Sequence, residues 1–299
     1  MRQFKLRVIS IMALALSAGA AFMPATAHGQ IFVSNETAAT IGEYSTSGAT
    51  VNASLVSGLS QPLGIAVSGS DLFVANHSAG TIGEYTTSGA TVNASLVSGL
   101  NDPYGIAVSG SDLFVANWGS GTIGEYTTSG ATVNASLVSG LNYPHGIAVS
   151  GPDLFVTYLY SGTIGEYTTS GVTVNASLVS GLNSPIGIAV SGSDLFVTNF
   201  YDVTVGEYTT SGATVNASLV SGLSYPYAIA VSGPDLFVTS ATLGTIGEYT
   251  TSGVTVNASL VSGLDRPSGI AVAVPEPARL GLLGLAGGML LMRRRENRQ

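Results

Sequence analysis

Phenylalanine falls at positions 32, 73, 114, 155, 196 and 237 of this 299-residue chain, a constant step of 41. Tyr44, Tyr85, Tyr126, Tyr167, Tyr208 and Tyr249 keep the same step, as do Pro62, Pro103, Pro144, Pro185, Pro226 and Pro267. No insertion or deletion interrupts the copies. A fixed period of this length makes each copy one supersecondary unit that buries its faces against its neighbours, so the chain must build a ring or an open stack. One copy is also cut in two. Gln30–Asn35 (QIFVSN) has no GIAV segment before it, and Gly269–Val272 (GIAV) has no LFV segment after it.

Within a copy, four strand-like runs alternate with turn signals. Gly105–Val108 runs through SGSD into Leu113–Ala116; NWGSG leads to Thr122–Tyr126; TTSG precedes Ala131–Val138, and SGLNYP leads into the next copy. The first two runs are apolar without alternation, as in strands covered on both faces. Gly and Ala in GIAV suit the crowded place nearest an axis. Forty-one residues in four short strands is the size of a propeller blade. An open solenoid would end in polar capping repeats; this chain ends in two complementary halves. Pairing Gly269–Val272 with Ile31–Val33 completes a sixth blade and removes both exposed edges. The fold expected is therefore all-β: a six-bladed β-propeller of four-stranded repeats over residues 28–273, its ring closed by N- and C-terminal strands.

Pro-x-Gly-Ile-Ala-Val, a turn, Leu-Phe-Val, then Thr-Ile-Gly-Glu-Tyr with Ser-Gly after it resembles the NHL-type repeat of six-bladed propellers. The resemblance covers the whole of residues 28–273 and implies the fold. It departs where that repeat usually has Asp and Arg after the second strand; Asn35, Asn76, Asn117, Tyr158, Asn199 and Ser240 stand there instead. It implies no single activity, because such propellers host scaffolds, binders and several kinds of enzyme.

Both ends read as targeting segments. Arg2, Lys5 and Arg7 precede the mostly apolar Val8–Phe22, and Ala25-Thr26-Ala27 fits a signal-peptide cleavage site, so residues 1–27 are expected to be removed after Ala27. A retained membrane helix is the alternative. At the other end, Pro275-Glu276-Pro277, the apolar stretch 280–292 and Arg293-Arg294-Arg295 resemble, in that order, the PEP-CTERM sorting signal of exopolysaccharide-producing Gram-negative bacteria. As a hydrophobic helix outside the domain, that stretch would reach roughly 20 Å, short of the ~30 Å a bilayer core requires. The resemblance of residues 274–299 implies export, processing by an exosortase-type transpeptidase, transient inner-membrane association with the arginines in the cytoplasm, and a cell-surface or extracellular destination. A weak single-pass anchor of no particular family is the alternative.

Of seventeen acids, all but Glu276 and Glu296 lie between the two ends, and Arg266 is the only base there, so fifteen acids against one base leave fourteen net negative charges. Nucleic acid and anionic membrane surfaces are therefore poor partners for this region, for want of cations to neutralise phosphates. The chain has no cysteine, hence no disulfide, thiolate metal site or Cys nucleophile.

The six copies differ in two connections. After the second strand come NETAA, NHSAG, NWGSG, YLYSG, NFYDV and SATLG; before the first come SQPL, NDPY, NYPH, NSPI, SYPY and DRPS. SGSD or SGPD and TTSG are nearly invariant. In an up-and-down blade the two variable connections emerge at one end, so the divergence lies on one face of the disc. Seven non-repeated tyrosines fall in these connections, with Trp118, Phe200, His77, His145 and Arg266. Such aromatics and hydroxyls suit stacking on a polar, ring-shaped ligand; neutral drift of loops is the bland alternative. The candidate ligand-binding residues are Trp118, Tyr104, His145, Tyr227, His77, Tyr158, Tyr160, Tyr201 and Tyr225.

The residues between Pro and Gly (Leu63, Tyr104, His145, Ile186, Tyr227, Ser268) are expected nearest the axial mouth and contain one plausible metal ligand. The six glutamates beginning at Glu43 are read as making a hydrogen bond between blades rather than a cation ring. The turn aspartates are read as turn residues, and the six Asn-Ala-Ser triplets as strand sequence. No catalytic or metal residue is assigned and no cofactor is expected, with calcium the one ion left open. The function expected is an exported, non-enzymatic binding or scaffold protein of the cell surface or matrix, a polysaccharide being the partner considered. A metal-dependent lactonase- or lyase-like enzyme and a purely structural surface protein are the alternatives.

Overall fold

The computed structural model describes residues 29–273, which form 24 strands in six four-stranded antiparallel sheets, with no helix among the described residues. The expected signal peptide with Ala27, the sorting motif Pro275, Glu276, Pro277 and Arg293 to Arg295, and the apolar stretch 280–292 lie outside the described residues. Each sheet is one blade, and blades are numbered here along the chain. From the axis outward, blade I is Pro267–Ala273, Gln30–Asn35, Thr40–Ser45 and Thr50–Ser57. Blade II is Pro62–Ser68, Asp71–Asn76, Thr81–Thr86 and Thr91–Ser98. Blades III to VI repeat this over residues 103–138, 144–180, 185–220 and 226–262.

The cut copy closes the ring as its two halves require. Ile31 pairs with Val272, Phe32 with Ala271 and Val33 with Ile270 in antiparallel register. The observed strands run a residue or two past the apolar cores read from sequence, because Pro and Ser at their ends join the ladder.

Six buried clusters hold the disc together, one per blade–blade interface. Phe73, Ala75, Ile82 and Val97 of blade II meet Ile106, Leu113, Val115 and Tyr126 of blade III. The same set recurs around the ring, and across the seam Phe237, Ile246 and Val261 of blade VI meet Ile31, Val33, Tyr44 and Ile270 of blade I. Alternate residues of each second strand thus face opposite neighbours, which is why these strands read as continuous apolar runs.

Around the axis the inner strands approach closely at the Gly of GIAV: a Cβ on Gly64 would strike the Tyr104 carbonyl of the next blade, and blade VI alone has Ala228 in that place. Hydroxyls on the second strands stitch this inner belt. Thr157 Oγ1 accepts from the Gly146 N–H at 2.9 Å and donates to the Ile186 carbonyl of the next blade at 2.7 Å. Thr198 repeats the arrangement with Gly187 and Tyr227. Blades II and III carry Ala75 and Ala116 in that place.

The outermost strands expose TVNAS, and their pairing register shifts at the Asn. In every blade that Asn turns its Oδ1 onto the N–H two residues on, as Asn93 does with Ser95 at 3.1 Å. The side chain thereby occupies a backbone donor on an uncovered edge, which blunts pairing with another chain.

Candidate functional site

Antiparallel order carries both variable connections to one end of each blade, and hydrogen bonds join them there. Trp118 N–H donates to the Asp102 carbonyl at 2.9 Å, His77 to Gln61 at 3.1 Å, Phe200 to Ser184 at 3.1 Å and Glu36 to Arg266 at 3.1 Å. The accepting residue precedes the proline in each case. In all six blades this residue holds a left-handed backbone without being glycine: Gln61, Asp102, Tyr143, Ser184, Tyr225 and Arg266 have φ between 45° and 56°. Such a conformation costs a side chain about 1 kcal/mol or more, whereas glycine adopts it freely. At other places with positive φ the repeat uses glycine, as at Gly89 with φ 88°, except at Ala39 and Val203. The strained position keeps side chains, and they stand among the variable connections of the loop face.

Leu63, Tyr104, His145, Ile186, Tyr227 and Ser268 line the mouth of an axial cavity of about 80 Å³, as the residue between Pro and Gly was expected to do. The His145 ring touches Tyr104 on one side (centroids 4.4 Å apart) and Tyr227 on the other (5.7 Å). From this centre two wings extend. Tyr104 leads to Trp118 (6.0 Å), Trp118 to Tyr143 (4.6 Å) and Tyr143 to Tyr160 (5.2 Å), across blades III and IV. Tyr227 leads to Phe200 (6.5 Å), which contacts Tyr201 (5.2 Å) and Tyr225 (5.0 Å), across blades V and VI. His77 of blade II meets Tyr104 edge-on at 4.9 Å. The result is an unbroken arc of aromatic rings over the loop face. Tyr143, Tyr160, Tyr201 and Tyr225 are exposed; His145, only 6% exposed, is its floor.

The remaining sector is polar. Arg266 and Glu36, from the two connections of the closing blade, form an ion pair at 3.2 Å. Burial raises the Tyr104 pKa, with Glu36, Asp102 and Tyr160 adding to the rise and Arg266 opposing it. Tyr227 is raised by burial and then by Tyr104 and Glu36. Burial, with a smaller contribution from His77, lowers His145 to about 3. The site therefore presents neutral phenols and a neutral imidazole. His77 Nδ1 is buried without a partner, and no hydrogen bond engages the His145, Tyr104 or Tyr227 side chains among the described residues.

The structure brings together eight of the nine candidate residues and leaves one out. Tyr158 is 4% exposed and bonds the Tyr167 hydroxyl at 2.6 Å inside blade IV. It stands where Asn76, Asn117 and Asn199 sit beside the repeated tyrosines of their own blades, so its variation is a change of core partner. Tyr143 and Phe200 complete the arc and were absent from the candidate set, although both lie in the same connections. The glutamates also differ from expectation. Glu43 accepts from Gln30 Nε2 at 2.7 Å within blade I, not from a neighbouring blade. Glu84, Glu125, Glu166, Glu207 and Glu248 each lie diagonally from the turn aspartate of their own sheet, and burial with that charge raises their pKa values. Among the described residues no group of three His, Asp or Glu could hold a metal ion.

No protein-family model matches this chain, and no curated protein does. Solved structures are similar in fold. A chain in the crystal structure of a nidogen/laminin complex superposes with a TM-score of 0.73 at 16% identity, over 82% of this chain and 98% of that one. Virginiamycin B lyase from Staphylococcus aureus gives 0.62 at 22% identity, over 83% and 88%. A protein of unknown function from Bacteroides caccae gives 0.65 at 14%, over 83% and 100%.

Proposed function

We propose that this is an exported, non-enzymatic binding or scaffold protein of the cell surface or extracellular matrix, which engages a polysaccharide across the loop face. One observation carries the reading: a continuous arc of rings, several of them exposed, surrounds polar groups that have no partner of their own. Exposed rings supply flat apolar area, and unpartnered hydroxyls and imidazole supply the directional bonds that a sugar needs. The two ends of the chain supply the rest of the proposal, namely removal of residues 1–27, sorting through residues 274–299 by an exosortase-type enzyme, and transient residence at the inner membrane. Cell fractionation with N-terminal sequencing tests that part; full-length protein in the cytoplasm refutes it.

A glycan array tests the binding itself. For a glycan that binds, Trp118→Ala or Tyr104→Ala weakens affinity by about 1–2 kcal/mol, the range for a lost aromatic contact. Asp112→Asn, on the opposite face, leaves it unchanged. Affinity lost through Asp112→Asn alone would mean that the ligand sits on the other face.

One observation favours a second reading, a lactonase- or lyase-like enzyme: a neutral imidazole stands between two phenols at the floor of a cavity. Virginiamycin B lyase is among the proteins of similar fold. The notion of a metal-dependent reaction, with calcium as one candidate, is tested by metal analysis of the purified protein.

A further inference from the structure

We infer that the loop face takes an extended, uncharged carbohydrate chain, several sugars long, which crosses the axis from the Trp118 wing to the Phe200 wing. The inference rests on the reading of this face as a carbohydrate-binding surface and names the class of carbohydrate.

Length follows from geometry. The wings join the centre at its two ends, the Trp118 wing through Tyr104 and the Phe200 wing through Tyr227, and the rings along the arc succeed one another at 4.4–6.5 Å. The exposed rings, Tyr143 and Tyr160 in one wing and Tyr201 and Tyr225 in the other, give separate contact surfaces for different sugars of one chain. The cavity at the axis, about 80 Å³, has room for a few water molecules and is walled by the six inner strands. It therefore suits one exocyclic hydroxyl-bearing group from the middle of a chain, and the sugars to either side then rest on the wings. A monosaccharide or chain end would leave one wing unused.

Neutrality follows from the charges. Arg266 is the single base among the described residues, and Glu36 already holds it at 3.2 Å. Asp102, Asp202 and Asp265 stand in the same set of connections. A uronate crossing this face would meet like charge with no free cation, an arrangement that strongly disfavours the wrong partner. Hydroxyls meet what they need: His145, 94% buried and lining the cavity, has one ring nitrogen to donate and one to accept, and the Tyr104 and Tyr227 hydroxyls do both.

The test uses neutral cello-, malto- and manno-oligosaccharides of two to eight units, with oligogalacturonates of matching length, titrated by calorimetry against the full chain. Trp118, the only tryptophan, gives a parallel fluorescence readout. For the neutral chain that binds, affinity should rise by about tenfold or more from two units to six and then level off as both wings fill. Phe200→Ala should lower affinity for six units about tenfold and for two units much less. Tyr201→Ala, at a 64% exposed position whose ring contact is to Phe200, serves the same purpose without opening the blade core. Oligogalacturonates should bind at least about tenfold more weakly than the neutral chain, with the gap narrowing in high salt. Length-independent affinity overturns the extended-chain inference, and tighter binding of the uronates overturns neutrality; both outcomes leave the carbohydrate surface standing. Binding of neither class overturns the surface itself.

Discussion

A single hydroxyl separates the inner belt of blades IV and V from that of blades II and III. Thr157 and Thr198 each bridge two blades, while Ala75 and Ala116 leave the Tyr104 and His145 carbonyls without that donor. Ala116→Thr should supply the missing bond to the His145 carbonyl and raise stability by about 1 kcal/mol. Urea unfolding measures it; an unchanged or lower midpoint would mean that the belt has no room for the hydroxyl at this blade. His145 itself should impose a pH dependence. Its pKa falls from 6.5 to about 3 on folding, so below pH 6.5 the unfolded chain binds a proton that the folded chain refuses. Stability is then lost as pH falls, by at most ~1.4 kcal/mol per unit. The five raised glutamates act with the opposite sign, favouring the folded state as pH falls into the carboxylate range. His145→Gln should remove the first effect and keep the second, so midpoints at pH 7, 6 and 5 should fall less steeply in the variant; parallel curves would contradict the assignment. Single residues were also where sequence reading reached its limit. Tyr158 looked like a divergent loop aromatic because its equivalents are Asn and Ser, and only the packed blade reveals the shared task of facing a repeated tyrosine. Glu36 and Arg266 lie far apart in the chain and meet only because the ring closes. The left-handed residue before each proline leaves no signature in sequence, since no glycine marks it.

Strands were the most legible elements. An unbroken period, apolar runs and invariant turns specify where each strand lies, and the halved copy specifies which two must pair. The outer strand was less so: a run of TVNASLV reads as one ladder, but its Asn captures a neighbouring N–H and the register slips beside it. Closure carries a direct consequence for stability. Pro267–Ala273 supplies the innermost strand of blade I, and Ile270 belongs to the buried cluster that joins that blade to blade VI. Deleting residues 265–272 should lower stability by several kcal/mol, because a buried strand and part of one blade interface are lost. Thermal melting decides this, and a truncated chain that melts like the parent would contradict closure by strand pairing.

At the scale of the whole molecule, the disc has two unlike faces. One repeats the SGSD-type turn in five blades and the TTSG-type turn in all six, and has little means of distinguishing one ligand from another. The other gathers the divergent connections, the strained backbone, the axial cavity and the aromatic arc. Its position was readable from the chain, because alternation of up and down strands fixes which connections share an end. The order in which its rings touch was not, since that depends on how far each side chain leans across the blade boundary. Hydrogen exchange of the full chain, with and without the tightest binder of the glycan panel, shows whether recognition belongs to this face. Exchange should slow in segments 77–80, 118–121, 143–146, 200–203 and 225–228, with the turns at 69–71, 110–112 and 128–131 unchanged; slowing confined to those turns would put recognition on the other face.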